Sequence, residues 1–363
     1  MTESESLALV RRAVAAERAY HVGGTIDPPV KLNQNESPFD LPQEIRDSVL
    51  AEFTRIPFNR YPTEQPDLVC EALGAHEGFP AEGILVGNGS NELTYTLGLS
   101  FVESGVQVVL PRPMFALYTT MVRLHGGTVV PVAPRADLSF DIDGILRAMK
   151  TTHAAMTVLC TPNNPTGLAL SPDEVERVAA AATGILVIDE AYVEFNPHGT
   201  ALALIERFPN VIILRTLSKA FGLAGLRVGY LMGRPALMRE LLKARLPFMI
   251  DRFAQSVALA VLARPDLVRQ RILDIRASIA YLAAELRAMP AVEVLPSDTN
   301  FVLFRTRLPA DLVLSRLLEQ GVVVRYMGGY PELTGWLRVS AGLEGENRAF
   351  LAALYRTLDE APR

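Results

Sequence analysis

The sequence predicts an α/β protein, with a large domain built on a mostly parallel sheet flanked by helices and a smaller α+β domain after it. Between residues 84 and 232, short runs rich in β-branched residues alternate with helical patterns, as expected where strands and helices follow one another. Several of these runs are apolar throughout, which is typical of strands covered on both faces. After about residue 264 the pattern changes to one long helical stretch followed by short strands.

Seven strands are expected in the large domain, each a short run of mainly apolar residues. They cover residues 84–86, 106–110, 128–132, 156–159, 185–188, 211–214 and 228–232. The clearest helix start among them is at Ser171, where Pro172 suits the first turn and Glu174 completes a capping box.

At 363 residues the chain is longer than one ordinary hydrophobic core supports. We expect residues 46–264 to form the large domain, which binds the ligand, and residues 265–363 the smaller one. The smaller domain should hold a helix over 265–289 and strands over 292–295, 300–304, 322–325 and 336–339. Residues 1–45 contain several prolines and no strong period, so we expect an arm, or a part of the smaller domain, that lies on the rest.

Composition narrows the classes of function. Hydrophobic residues make up 49% and charged residues 21% of the chain, as in a globular protein. The net charge of −5 and the dispersed basic residues argue against a nucleic-acid partner. Cys70 and Cys160 are the two cysteines, so neither a disulfide framework nor a metal cluster is expected. The acidic N-terminus lacks the apolar stretch of a signal peptide, and no run is long enough to span a membrane. The cytoplasm is the expected location.

Two glycine- or proline-rich stretches follow predicted strands. In "GNGSNE" (87–92) the glycines allow a tight bend, and the backbone N–H groups of Ser90 and Asn91 can face an anion at the start of a helix. Glu92 stands where a dinucleotide fingerprint needs its third glycine. In "CTPNNPTG" (160–167) a rigid turn presents the side chains of Asn163 and Asn164. Taken alone, each stretch is also compatible with a purely structural turn.

Two further stretches place charged side chains at strand ends. In "VIDEAY" (187–192), Asp189 ends a buried strand and needs a partner for its charge, and Tyr192 follows three residues later. In "TLSKAFGLAGLRVGY" (216–230), Lys219 follows another buried strand and precedes Arg227. Alone, the acidic pair could be a solvated loop and Lys219 a surface lysine. Desolvation or a nearby cation would instead make Lys219 a nucleophile.

The four stretches together match the needs of one cofactor, pyridoxal phosphate. The glycine-rich helix start suits its phosphate, and Lys219 can form a Schiff base with its aldehyde. Asp189 can keep the pyridine nitrogen protonated, so that the ring accepts electrons. Asn164 and Tyr192 can bond to the 3-oxygen of the ring.

The sequence resembles the fold-type I pyridoxal-phosphate aminotransferases over nearly its whole length. The matching motifs are "KLNQNESP" (31–38), "NRYPT" (59–63), "GNGSNE", "TPNNPTG", "DEAYVEF", "TLSKAFGLAGLRVGY", "SDTNFVLFR" (297–305) and "WLRVSAG" (336–342). Within that family they are most similar to the group that acts on histidinol phosphate, with 2-oxoglutarate and glutamate as the second substrate pair.

The resemblance implies roles for individual residues. Lys219, Asp189 and Tyr192 are the expected catalytic residues, and Phe115 takes the place of a tyrosine that stacks on the cofactor ring. Tyr61 is expected to reach the cofactor phosphate of a neighbouring subunit, which implies a homodimer with shared active sites. The residues expected to hold the cofactor phosphate within one subunit are Ser90, Asn91, Thr216, Ser218 and Arg227.

The substrate end of the site is expected to involve Arg338, Arg325, Tyr20 and Asn35. Arg338 would bind the carboxylate of an amino or oxo acid, or meet a substrate phosphate together with Arg325 and Tyr20. The segments "SPFDLP", "AYHVGG", "PMFALY" and "FMIDRFAQ" depart from the usual pattern of the group. An aminotransferase for aromatic or other amino acids, a phosphothreonine-type decarboxylase and a catalytically silent binding protein therefore stay open as alternatives.

Overall fold

The computed structural model describes residues 1–19, 28–290 and 292–359 of the chain. Its strands fall into three sheets, and each of the seven strands expected in the large domain is present. The strands are β1 (Val30–Lys31), β2 (Ile84–Asn88), β3 (Gln107–Pro111), β4 (Thr128–Val132), β5 (Met156–Cys160), β6 (Ile185–Asp189), β7 (Val211–Thr216), β8 (Val228–Met232), β9 (Val292–Val294), β10 (Phe301–Thr306), β11 (Val322–Val323), β12 (Arg325–Tyr326) and β13 (Trp336–Ser340).

The central sheet has seven strands in the order β2-β8-β7-β6-β5-β3-β4. Strands β3 to β7 run parallel, whereas β8 is antiparallel to both of its neighbours. Every residue of β5, β7 and β8 is buried, in agreement with their continuous apolar runs. The expectation of a mostly parallel sheet is therefore confirmed. Because parallel strands end at one edge of the sheet, the segments that follow β5, β6 and β7 meet there.

Helices flank the sheet, and the helices that begin at Pro172 and Pro265 start where the sequence predicts. They are α1 (Glu3–Ala8), α2 (Arg12–Ala15), α3 (Gln43–Phe53), α4 (Asp67–Glu77), α5 (Gly89–Phe101), α6 (Leu117–Leu124), α7 (Ile142–Thr152), α8 (Pro172–Ala181), α9 (Leu204–Arg207), α10 (Pro235–Leu242), α11 (Arg252–Leu262), α12 (Pro265–Ala288), α13 (Ala310–Glu319) and α14 (Glu344–Asp359). Ser171 and Glu174 form the expected capping box of α8. None of the helices within the described ranges has the length and apolar character needed to cross a bilayer.

A second, antiparallel sheet has the order β12-β13-β10-β9, and β1 and β11 form a separate parallel pair. The single strand expected over residues 322–325 is wrong, because this run contributes to two sheets. Val322 and Val323 pair with β1, and Arg325 and Tyr326 pair with β13. The chain crosses from one sheet to the other at buried Val324, which keeps the whole run apolar.

The segment before residue 46 contacts both parts of the molecule. Strand β1 pairs with β11, and Leu32 accepts a hydrogen bond from the backbone N–H of Ser340 at 2.9 Å. Near the N-terminus, the guanidinium of Arg11 donates to the carbonyl of Leu124 at the end of α6. Residues 28–35 thus run between the central sheet and the antiparallel sheet, where they form part of a wall described below. The domain limits at residues 46 and 265 stay predictions.

Candidate active site

A cavity of about 630 Å³ lies at the carboxyl ends of β5, β6 and β7 and extends to β12 and β13. The predicted site residues that line it come from eight separate segments of the chain, so folding alone brings them together. They are Asn35, Ser90, Asn91, Phe115, Asn164, Asp189, Tyr192, Thr216, Ser218, Lys219, Arg227, Arg325 and Arg338.

One end of the cavity is built to hold an anion. Helix α5 begins at Gly89, so the N–H groups of its first turn, which includes Ser90, face the cavity. On the opposite wall, Thr216 donates to Ser218 Oγ at 2.9 Å, and an Nη1 of Arg227 lies 3.5 Å from the same oxygen. Hydroxyl groups, a guanidinium and a helix N-terminus together suit a phosphate.

Close backbone packing shapes this anion end. A Cβ atom on Gly229 of β8 would overlap the backbone nitrogen of Ser90, and one on Gly89 would overlap the guanidinium of Arg227. Glycine at these two positions lets β8 and Arg227 approach the start of α5. The anion end therefore depends on glycine at positions 89 and 229 as well as on the polar groups present.

Asp189 is a buried carboxylate at the centre of the cavity, with 5% of its surface exposed. Burial raises its pKa from the ordinary 3.8 to about 6, against the opposing effect of a hydrogen bond from Tyr118. The Tyr118 hydroxyl donates to Oδ2 at 2.8 Å, and the backbone N–H of Ala191 donates to Oδ1 at 3.0 Å. Both donors are uncharged, so the site is suited to receive a cationic N–H group beside Asp189.

Lys219 follows β7 and extends into the same cavity. Burial, together with the positive charge of Arg338, lowers the pKa of its amine from 10.5 to about 8. Its Nζ donates to the carbonyl of Gln34 at 3.3 Å and lies 5.9 Å from the centre of the Tyr192 ring. A substantial fraction of the amine is therefore neutral near pH 8 and available as a nucleophile.

Tyr192 is held at the cavity wall by a chain of hydrogen bonds. Its hydroxyl accepts from Asn35 Nδ2 at 2.9 Å, and Asn35 Oδ1 accepts from Ser340 at 3.2 Å. Asn35 has a positive φ of 55° and is buried, so its side chain is fixed in one direction. The Tyr192 hydroxyl keeps its own proton to donate into the cavity.

Arg338 of β13 lines the cavity on the side of the antiparallel sheet. It is 8% exposed, its guanidinium lies 5.0 Å from the centre of the Phe301 ring, and it donates to Asn164 Oδ1 at 2.6 Å and to the carbonyl of Asn33 at 3.2 Å. Because Asn164 Oδ1 already accepts, Nδ2 is the atom of that amide left to donate to a ligand. Arg325 stands directly opposite Arg338 in the β12–β13 pair.

One predicted site residue within the described part of the chain does not line the cavity. Tyr61 lies outside it, is 77% exposed and stacks on Phe248 with ring centres 4.9 Å apart. Tyr20 lies outside the described residues.

Several residues with structural roles in the site were not predicted. Tyr118 follows the predicted stacking residue Phe115 by three positions, and this proximity of a phenol is the signal in the sequence that points to it. Gln34 and Ser340 act through a backbone carbonyl and a hydroxyl, and the sequence offers no signal for either. Glu190 was noticed only as the neighbour of Asp189.

The residues of the cavity fit pyridoxal phosphate. The anion end matches the phosphate, buried Asp189 lacks a cationic partner among the described residues and matches the pyridine N–H, and Lys219 is a partly neutral amine. A seven-stranded α/β fold with these groups at its strand ends defines an enzyme of the fold-type I pyridoxal-phosphate class.

Comparison with known proteins identifies the family. The model of the aminotransferase class I and II family matches residues 27–354, and the chain belongs to this family. A histidinol-phosphate aminotransferase of Chlorobium luteolum is 42% identical over 340 residues, which cover 94% of this chain and 95% of that protein. Another, from Chlorobaculum parvum, is 42% identical over 347 residues, 96% of this chain and 98% of that protein.

A solved structure agrees with this result. Histidinol-phosphate aminotransferase from Sinorhizobium meliloti, in complex with pyridoxal-5'-phosphate, has a TM-score of 0.85 and 28% identity, covering 92% of this chain and 91% of that one. The predicted fold type, the resemblance to the aminotransferases and the dependence on pyridoxal phosphate are confirmed at the level of the family.

Proposed function

We propose that this enzyme transfers the amino group between histidinol phosphate and the 2-oxoglutarate–glutamate pair, as a step of histidine biosynthesis. The observation that carries the proposal is a second cationic wall, separate from the anion end. Arg325 and Arg338 face each other in register on β12 and β13 and both line the cavity. The relatives that are 42% identical over nearly the whole chain are named for this activity.

The lining of the anion end supports an assignment of the cofactor residues. We assign the phosphate of pyridoxal phosphate to Ser90, Asn91, Thr216, Ser218 and Arg227, which surround the anion end. Phe115, half-buried in the wall, would stack on the ring. When bound, the cofactor withdraws the electrons left on the substrate carbon that loses a proton.

The protein's own groups would control the protons. Asp189 would hold the proton of the pyridine nitrogen, because its buried carboxylate gains a cationic partner there. Tyr192 and Asn164 would donate to the 3-oxygen through the hydroxyl and Nδ2. Lys219, which would hold the cofactor at rest, would take the proton from the substrate Cα and return it to C4′ of the cofactor.

At the substrate end, Arg338 would bind a carboxylate or a phosphate through two parallel hydrogen bonds. Arg325 would add a second positive charge, so that one site could accept both glutamate and histidinol phosphate. Asn35 would line this end and orient Tyr192. Tyr20, predicted to reach the same substrate group, keeps that role as part of the proposal.

The assembly is proposed to be a homodimer with shared active sites. Phe53, Phe58, Tyr61 and Phe248 form an aromatic patch on the surface, in which Phe58 and Tyr61 are 76% and 77% exposed. Patches of this kind commonly mark protein interfaces, and Tyr61 would reach the partner's cofactor phosphate from here. We further propose that the enzyme works in the cytoplasm, without a nucleic-acid or membrane partner, and that the domains divide near residues 46 and 265.

The experiment that tests the substrate compares kcat/KM for histidinol phosphate, phenylalanine and phosphothreonine, with detection of CO₂ for the last. We expect histidinol phosphate to be preferred and no CO₂ to be released. In Arg338→Ala, kcat/KM for both histidinol phosphate and glutamate should fall about 30-fold or more, since a charged partner is lost. Arg338→Lys should recover only part of this. Unchanged values in Arg338→Ala would contradict the shared-clamp assignment.

A further inference from the structure

A cluster of buried charges lies on the face of the central sheet away from the cavity. It consists of Glu77 from α4, Glu190 after β6, Arg215 of β7 and Tyr230 of β8, and is called here the buried ion cluster. Arg215 and Glu190 are 5% and 1% exposed. Successive residues of a strand point to opposite faces. Arg215 accordingly does not line the cavity although Thr216 does, and Glu190 does not line it although Asp189 does.

One guanidinium joins two carboxylates in this cluster. Arg215 Nε and Nη2 donate to Glu190 Oε2 at 3.0 and 2.7 Å, and Nη1 forms an ion pair with Glu77. The hydroxyl of Tyr230 donates to Glu77 Oε1 at 2.5 Å. The planar fork of arginine allows these contacts to different acceptors at once, which a lysine could not reproduce.

Glu190 also closes the segment 190–201, which carries Tyr192. Its Oε1 accepts from the backbone N–H of Ala201 at 2.6 Å, and its Oε2 accepts from the hydroxyl of Thr200 at 2.8 Å. Thr200 in turn accepts from Arg215 Nη2 at 2.6 Å. Both ends of the segment are thus tied to one carboxylate, and through it to β7.

The electrostatics of the cluster extend to the cavity. The charge of Glu190 contributes to raising the pKa of Asp189, although burial contributes more. Arg215 lies against Glu190 and compensates that charge. Burial also raises the pKa of nearby Glu194 to about 8, so this carboxyl keeps its proton at neutral pH and adds no further negative charge. A change in the cluster should therefore be detectable at Asp189.

We propose that the buried ion cluster is a positioning device for the cofactor. It fixes the carboxyl end of β6, with Asp189 and Tyr192, relative to the carboxyl end of β7, with Thr216 and Lys219. In the assignment proposed above these two ends would hold different groups of the cofactor, so their spacing would set both its affinity and its protonation. The inference rests on the cofactor roles proposed above and is independent of the substrate.

The mildest test uses Thr200, an exposed residue whose hydroxyl joins Glu190 to Arg215. Thr200→Val keeps the shape and removes the hydroxyl, whereas Thr200→Ser keeps the hydroxyl as a matched control. We expect the Kd of the apo-protein for pyridoxal phosphate to rise about three- to tenfold in the valine variant. The serine variant should keep the affinity of the unaltered protein.

The stronger variants are Glu190→Gln and Arg215→Lys, alone and combined. Each single change should raise the Kd for pyridoxal phosphate by about 30-fold or more and shift the pH midpoint of the visible absorbance of the bound cofactor. The combined variant should be less affected than the product of the single effects, because both act through one pair. Ile145→Ala in α7, buried far along the sheet near β3 and β4, provides a control that lowers thermal stability alone.

The outcomes separate a positioning role from a structural one. If the cluster variants lower the melting temperature of the apo-protein as Ile145→Ala does, yet leave the Kd and the pH midpoint unchanged, the positioning role is wrong. Equal Kd values for Thr200→Val and Thr200→Ser would contradict it as well, without any risk of misfolding. Failure of the unaltered protein to bind pyridoxal phosphate would contradict the proposed function instead.

Discussion

At the scale of single residues, burial shifts the pKa values of two functional groups towards neutral pH from opposite directions. The carboxyl of Asp189 has a pKa of about 6, raised by desolvation, and the amine of Lys219 has a pKa of about 8, lowered by desolvation and by Arg338. Both shifts express the unfavourable free energy of a buried charge without a full counter-charge. Pyridoxal phosphate bound as proposed would relieve both, because it would offer a cation to Asp189 and an aldehyde to Lys219.

The pKa of Lys219 predicts how fast the apo-protein captures the cofactor. Only the neutral amine attacks an aldehyde, so the rate should rise about tenfold per pH unit below pH 8 and level off above it. Stopped-flow absorbance between pH 6 and 10 measures this rate. Lys219→Ala, which lacks the amine, serves as the control and should show no covalent capture. A midpoint near 10.5 would contradict the assignment of a buried, partly neutral Lys219.

The substitution Asp189→Asn tests the raised pKa of Asp189 through its effect on the stability of the apo-protein. The raised pKa means that ionised Asp189 destabilises the apo-protein, by about 3 kcal/mol, from roughly pH 6 upwards. This penalty disappears as the pH falls through 6 towards 3.8. At pH 7.5 we expect the apo form of the variant to melt no lower than the unaltered protein, even though the amide cannot accept from both Tyr118 and Ala191.

When pyridoxal phosphate is bound, we expect Asp189→Asn to melt at a lower temperature than the unaltered protein. The variant loses a buried charged partner of the ring nitrogen, worth about 2–5 kcal/mol of binding, and so gains less thermal stability from the cofactor. Differential scanning fluorimetry with and without pyridoxal phosphate provides both measurements. An apo form that is several degrees less stable than the unaltered protein at pH 7.5, but not at pH 5, would contradict this account of Asp189.

At the scale of elements, the anion end depends on how closely β8 approaches the start of α5. Gly229→Ala would place a methyl group against the backbone of Gly89 and Ser90, and backbone cannot move aside as a side chain can. We expect a loss of about 1–3 kcal/mol of stability and weaker binding of pyridoxal phosphate. Chemical denaturation and cofactor titration measure the two effects.

Gly345→Ala is the matched control for this change. Gly345 lies near the start of α14 with open space around its Cβ position, so the variant should stay within about 0.5 kcal/mol of the unaltered protein. Equal behaviour of Gly229→Ala and Gly345→Ala would show that the approach of β8 to α5 does not matter.

The elements that the sequence predicts correctly are those formed by interactions between residues close together in the chain. Strands β4 and β8 lie where their apolar runs predict, and α8 begins at its capping box, because these signals are local. The helix α1 carries the same kind of signal, since Thr2 and Glu5 form a capping box, but it was not predicted.

Long-range interactions explain what was missed. The division of residues 322–325 between two sheets depends on β1, which lies almost 300 positions away. The contacts of Tyr118 with Asp189 and of Arg215 with Glu77 likewise join segments 71 and 138 positions apart. Ser90, Asn164, Asp189, Tyr192 and Lys219 could be proposed as cofactor residues from the sequence because each ends or follows a strand of the same sheet, and those ends converge. The cofactor roles proposed for Phe115, Thr216, Ser218, Arg227 and Tyr61 came from the resemblance to the family.

At the scale of the whole molecule, the aromatic patch predicts the assembly. Phe58→Asp should leave the subunit folded, because Phe58 is 76% exposed, but should shift the protein towards monomers in sedimentation velocity. Retention of pyridoxal phosphate should fall in parallel if Tyr61 reaches the partner's site. Tyr355→Asp on α14, also well exposed, is the control and should remain a dimer. A fully active monomer would contradict the shared-site proposal.

The most direct test of the central claim is an absorbance spectrum of the purified protein, recorded before and after histidinol phosphate is added without any oxo acid. The account predicts a visible band of cofactor bound to Lys219, absent in Lys219→Ala. This band should disappear in proportion to the protein as one equivalent of the oxo product forms. A band that ignores histidinol phosphate but disappears with another amino donor would contradict the proposed substrate. The absence of a band after addition of pyridoxal phosphate would contradict the catalytic assignment itself.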